Sequence, residues 1–163
     1  MSPEVQAVLD HLRSLNVKFT YKEHPAVHTI AEMAALGLEG EEQVAKNLFL
    51  KDGKKKNYFL VTLDQRKTAD LKALSAALGV KGLSFASEDD LMKYLRLERG
   101  AVTPLGVLND RNRAVTVVMD TAVLAFDTVG VHPNVNTASV WLSPNELVRV
   151  VQEHGSSLII MDI

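Results

Sequence analysis

Residues 44–63 read VAKNLFLKDGKKKNYFLVTL, two β-prone runs, Val44–Leu50 and Tyr58–Leu63, on either side of Asp52, Gly53 and the lysines Lys54, Lys55 and Lys56. A turn-forming, charged segment between two such runs predicts a hairpin whose loop is exposed. Lys46 stands inside the first run, between Ala45 and Asn47 and ahead of Leu48, Phe49 and Leu50. Alternation along a strand can turn its ammonium toward a partly buried cleft, an unusual place for a lysine. The same residue also reads as a snorkelling side chain on a half-exposed strand. Lys51 and the loop lysines read most simply as a solvated turn, with a secondary capacity to touch phosphates.

Working outward toward the N-terminus, Ser2 and Pro3 make an N-cap and first helical residue, and Val5, Val8, Leu9 and Leu12 then recur at helical spacing. Lys18–Glu23 alternates as a short strand until His24 and Pro25 interrupt it. Thr29 with Glu32 is a capping-box pattern for a second, short helix ending at Gly37. Toward the C-terminus, Leu71, Leu74 and Leu78 space a third helix ending at Gly79, and Ser87 with Asp90 caps a fourth carrying Leu91 and Leu95. Ala114–Met119, Val123–Phe126 and Ser139–Leu142 then read as strands. Ser143, Pro144 and Glu146 start a last helix that ends near Gly155. Strands and helices alternate without a regular βαβ rhythm. The expected fold is therefore α+β, one domain over residues 1–163 with a mixed, mainly antiparallel central sheet flanked by helices.

The bulk numbers agree with one compact domain: 163 residues, 47% hydrophobic and 23% charged. Without cysteine there is no thiolate nucleophile, disulfide or cysteine-based metal site. A formal charge of -2 argues against a broad basic surface for DNA or RNA, so any RNA contact must be local. The apolar stretches Ala122–Phe126 and Leu158–Met161 are too short to cross a bilayer, and no cationic-then-hydrophobic leader precedes the first helix. The expected setting is cytoplasmic, and a monomer is the simplest expectation.

Serine-elbow, glycine-rich phosphate-loop, dinucleotide and zinc-helix signatures are all missing. His24 and His28 are four residues apart, but Pro25 places the pair in a loop, where hydrogen-bonding histidines are a simpler reading than metal ligands. Gly130, Val131, His132, Pro133 and Asn134 make a compact loop, followed by Asn136 and Thr137. Such a segment can bring backbone amides and an imidazole to a ligand, or serve only as a turn. Thr103, Pro104, Leu105 and Gly106 are equally ambiguous alone.

Taken together, Lys46-Asn47, the segment Val102–Gly106 followed by Asn109-Asp110, and Gly130-Val131-His132-Pro133 with Asn136-Thr137 resemble the YbaK/ProX superfamily, domains similar to the editing insertion of bacterial prolyl-tRNA synthetase. The resemblance spans nearly the whole chain, and the His132-Pro133 loop is most similar to the branch of alanyl-tRNA(Pro) deacylases. It implies a trans-acting hydrolase that removes the wrong amino acid from tRNA(Pro), with no metal or organic cofactor; the weak net charge neither requires nor excludes a transient association with prolyl-tRNA synthetase that would supply RNA affinity. It also implies roles: Lys46, Gly130 and His132 as catalytic residues, and Asn47, Val131 and Pro133 as substrate-binding ones.

An aminoacyl ester is already activated, so positioned water and a stabilised oxyanion suffice without a protein nucleophile. On this reading Lys46 holds the phosphate or ribose of the terminal adenosine, and amides near Gly130 and Val131 bind the acyl carbonyl. Rejection of proline requires rigid walls, because one methylene more or less discriminates by only ~1–3 kcal/mol. Val27, Ile30 and Met33 are candidate walls, though each reads first as core packing. Deacylation of a cysteinyl, seryl or threonyl ester, or a non-catalytic tRNA-binding module, are the alternatives.

Overall fold

A computed structural model describes all of residues 1–163. Ser2 accepts a hydrogen bond from Val5 N and starts α1 (Pro3–Ser14), whose Val5, Val8, Leu9 and Leu12 are buried. Strand β1 (Phe19–Glu23) follows, and then α2 (Ile30–Ala35), where Thr29 Oγ1 accepts from Glu32 N. The reciprocal arm of this cap is displaced by one residue, since Glu32 Oε2 accepts from His28 N rather than from Thr29 N. Two strands, β2 (Lys46–Lys51) and β3 (Tyr58–Leu63), form the expected hairpin. Its loop is held by Asp52, which accepts from Lys56 N, Asn57 N and Asn57 Nδ2. Those three donors outweigh burial and keep the Asp52 carboxyl below its ordinary pKa.

Helices α3 (Leu71–Leu78) and α4 (Glu88–Leu95) flank the short strand β4 (Ser84–Phe85). Next come a 3₁₀ helix over Pro104–Asn109, β5 (Val115–Asp120) and α5 (Thr121–Leu124). The chain closes with β6 (Val129–Val131), β7 (Ala138–Leu142), α6 (Pro144–His154) and β8 (Leu158–Met161).

The α+β class holds, but the strands divide between two sheets. One has three strands, β1-β7-β6, all antiparallel; the other has five, in the order β4-β2-β3-β5-β8. In the larger sheet β4-β2-β3 is antiparallel while β3-β5-β8 is parallel. Every residue of β3 is buried, as a central strand covered on both faces requires. Tyr58 and Leu60 join the main core with α1, α4 and α6, whereas Phe59, Val61 and Leu63 pack on the opposite face with Leu74 of α3.

Val123–Phe126, expected as a strand, instead continues from β5 as a helical turn. Asp120 ends the strand and accepts from Ala122 N, so the local cap outweighs the β propensity of a short apolar run. Leu158–Met161, noted in the sequence only for its hydropathy, is the parallel edge strand beside β5. Gly130 and Val131 belong to strand β6, not to a loop, because they pair with Trp141 and Val140.

Candidate functional site

The two sheets meet where Ala45 N donates to Gly130 O at 3.0 Å, next to a parallel bridge between Val44 and Gly130. Gly130 has a steric reason to be there. A Cβ on it would lie 2.7 Å from Trp141 Nε1 and 2.9 Å from Val44 Cγ2. The indole itself donates to Gly40 O at 2.9 Å, pinning the segment that leads into β2.

Beside this junction opens a cleft of about 310 Å³. Of the residues singled out in the sequence, Lys46, Asn47, Val131 and His132 line it, and so do the candidate walls Val27, Ile30 and Met33. Gly130 and Pro133 are not among its lining residues, and both are buried. Val27 and Met33 are at once core and wall, since they pack with Val44 and Trp141 in a small cluster under α2. His28, Thr29, Gly100 and Val102 also line it, and sequence reasoning did not assign them to the site. Gly100 carried a readable signal only in part: its φ of +89° favours glycine, but its closeness to His28, whose Nδ1 would be 2.8 Å from an added Cβ, is a tertiary fact.

Lys46 is half-buried and makes no ion pair; its Nζ has one long hydrogen bond, 3.3 Å to Lys67 O. Asn47 is oriented from across the hairpin, where its register partner Thr62 is fully buried and donates from Oγ1 to Asn47 Oδ1 at 2.7 Å. That bond assigns the amide oxygen inward and leaves the Nδ2 group with only a 3.5 Å contact to Ala45 O. Thr62 was missed in the sequence, although the hairpin register would have placed it.

His132 is held from several sides. Its Nδ1 is 2.9 Å from Ala138 O, and since a carbonyl only accepts, Nδ1 carries the proton and Nε2 is bare in the neutral ring. Its carbonyl accepts from Thr103 Oγ1 at 2.6 Å. Ser139 Oγ, 3.4 Å from His132 Nδ1, also lies 2.9 Å from His24 Nε2, and His24 Nδ1 reaches Pro25 O at 2.9 Å. A chain of polar groups therefore runs behind the cleft from His132 through Ser139 to His24. Burial pushes the His132 imidazole below its ordinary pKa of 6.5, against the Ala138 carbonyl that raises it, with His24 adding a further push downward. The balance favours the neutral ring over the charged one. His24 is thus a hydrogen-bonding histidine, as its loop position suggested, while His28 lines the cleft.

The arrangement offers one cationic donor, amide and imidazole groups with fixed orientation, and an apolar wall. It suits a ligand with an anionic or oxygen-rich part joined to a small apolar part. The aminoacyl-tRNA editing domain matches residues 24–150, which include every lining residue. The prolyl-tRNA editing protein ProX of Acetoanaerobium sticklandii is 44% identical over 152 residues, covering 93% of each chain. Prolyl-tRNA synthetase associated domain-containing protein 1 of Mus musculus is 37% identical over 164 residues, covering 98% of this chain and 96% of that one. A solved structure of a candidate trans-editing enzyme for prolyl tRNA synthetase superposes with a TM-score of 0.74 at 22% identity, covering 100% of this chain and 99% of the other; it supports the fold. The chain belongs to the aminoacyl-tRNA editing domain family.

Proposed function

We propose that this protein is a trans-editing hydrolase that cleaves the ester of mischarged tRNA(Pro), with alanyl-tRNA(Pro) as its substrate. The observation that carries this reading is Lys46: a half-buried ammonium without a carboxylate partner, at the edge of a cleft whose other wall is apolar. In the reaction, the oxygen of a water molecule bonds to the ester carbonyl carbon and the carbonyl electron pair moves onto oxygen. Collapse of that oxyanion breaks the bond to the ribose oxygen, which takes up the proton released by the water. Free amino acid and tRNA result. Lys46 holds the phosphate or ribose of the terminal adenosine, and the backbone around Val131 receives the acyl carbonyl. Gly130 acts by letting β6 approach Val44 and Trp141, Pro133 by supporting the loop, and Asn47 by presenting the amide that Thr62 orients. Neutral His132 supplies an acceptor at Nε2 for an N–H or O–H of the substrate.

Val27, Ile30 and Met33, fixed against Val44 and Trp141, are rigid enough to admit a methyl group and clash with a proline ring. The relatives that carry prolyl-tRNA editing or prolyl-tRNA synthetase in their names support tRNA(Pro) as carrier and a transient association with that synthetase. No helix is long and apolar enough to cross a membrane, and we read the setting as cytoplasmic. The test is hydrolysis of alanyl-, cysteinyl-, seryl-, threonyl- and prolyl-tRNA(Pro) and of alanyl-tRNA(Ala), each against buffer. Selective loss of alanyl-tRNA(Pro) is expected. Preference for another ester would overturn the alanyl assignment, and inertness toward all of them would overturn the hydrolase.

A further inference from the structure

A second pocket, of about 240 Å³, opens between α1, the 3₁₀ helix and the C-terminal end of α6. Its polar lining is Glu4, His11, Asn109, Asn134 and His154. Three side-chain polar atoms in the protein are buried without a partner, and two of them, His11 Nε2 and Asn134 Oδ1, belong to residues of this pocket. Buried polar atoms are nearly always satisfied by protein or by ordered water, so two exceptions at one cavity mark it as a place that takes a polar guest.

The neighbours define the ligand's chemistry. Asn109 Nδ2 donates to Leu95 O at 2.9 Å, which leaves Oδ1 as the free end of that amide. His154 Nε2 lies 3.1 Å from Asp110 O and must carry the proton there, which leaves Nδ1 as an acceptor in the neutral ring. Glu4 offers only acceptors, and no lysine or arginine lines the pocket. Anions are therefore disfavoured. A bare metal ion is disfavoured as well, because no three His, Asp or Glu side chains are placed to share one. Ala7, Val8 and Leu108 supply an apolar wall between the polar groups.

We infer that this pocket binds a small aliphatic amine, its ammonium donating to the acceptors and its methylenes lying on Ala7, Val8 and Leu108. The site is separate from the cleft but shares its loop: Asn134 lies two residues beyond His132, and its φ of +64° turns the chain between the two cavities. The inference does not depend on the deacylase reading.

The experiment titrates the full-length chain with butylamine and with putrescine, by calorimetry and by amide and side-chain NMR shifts, using tetramethylammonium as a cation without N–H donors. Two variants spare the fold. Asn134→Gly keeps a backbone conformation that glycine adopts freely, and Glu4→Gln changes an exposed residue. Saturable amine binding is expected, with shifts at Glu4, His11 and Asn134, affinity lower by about tenfold or more in each variant, and no response to tetramethylammonium. Absence of saturable binding, equal binding of tetramethylammonium, or affinity unchanged in both variants would overturn the site, provided thermal melts show the variants folded.

Discussion

Two lysines lie one hydrogen bond apart at the end of the larger sheet, and their surroundings differ. Lys67 Nζ donates to Asp120 Oδ1 at 3.0 Å, to Ile163 O at 3.0 Å and to Asp162 Oδ1 at 3.4 Å. Asp120 is fully buried and also accepts from Asp64 N, Ala122 N and Ile163 N, so this knot ties together the ends of β3, β5 and β8. Lys46, on the neighbouring strand, has only the Lys67 carbonyl and no counter-ion. One cation is consumed by structure; the other is left with donors free. A charge kept half-buried and unpaired contributes little to stability; on the function proposed above it is kept for a ligand that brings the missing negative charge.

The sharpest way to break this contrast is to remove each lysine and read both activity and stability. Lys46→Ala should lower hydrolysis of alanyl-tRNA(Pro) by about 10²-fold, the scale of losing a charged contact that positions the terminal adenosine, while urea unfolding is nearly unchanged. A variant as active as wild type would remove Lys46 from the site. Gly130→Ala tests the junction between the sheets: the added methyl meets Trp141 and Val44, and overpacking there should cost about 1–3 kcal/mol in urea unfolding, together with loss of activity.

Lys67→Met should cost about 2 kcal/mol, less than a fully buried pair because its side chain is 30% exposed and Asp120 keeps its backbone donors. Its turnover should stay close to wild type. Asp120 raises the Lys67 ammonium above its ordinary 10.5, so this stabilisation is complete below that value and is lost as pH rises through the raised one. Alkaline unfolding of wild type and variant should therefore converge. The smallest effect concerns His132. Its depressed pKa means the unfolded chain binds the extra proton first as pH falls below 6.5, so stability declines from there down to the folded value. His132→Asn should flatten that part of the melting-temperature profile, and an unchanged slope would show that the imidazole is not held neutral.

Much of the frame was readable in advance wherever a short-range rule acts alone. Ser2, Thr29, Ser87 and Ser143 each accept from a backbone N–H of the first helical turn, and Gly79 and Gly155 close their helices with positive φ. The 44–63 hairpin followed from its loop chemistry. Reading failed where two local preferences compete. Val123 favours a strand by its β-branched side chain, and the Asp120 cap overrode that preference. It failed too where a partner lies far along the chain: β8 is a strand because β5 offers it an edge, and Ser84–Phe85 because β2 does.

The site divides along the same line. Lys46 with Asn47 on one strand and His132 in its loop were assigned to a site through family resemblance, and the cleft gathers these three with Val131. Gly130 and Pro133 fall outside its lining, and Gly100, His28 and Thr62 were added to the site or its support by contacts from distant segments. By itself the sequence determined helix caps, the hairpin and which residue types were available for chemistry, because those depend on neighbours within a few positions. Only the tertiary structure decided that Val27 and Met33 serve as both core and wall, that burial lowers the His132 pKa, and that Lys46 lacks a counter-ion while Lys67 has its own. Burial and charge pairing are sums over atoms brought together by folding, and no stretch of chain carries them alone.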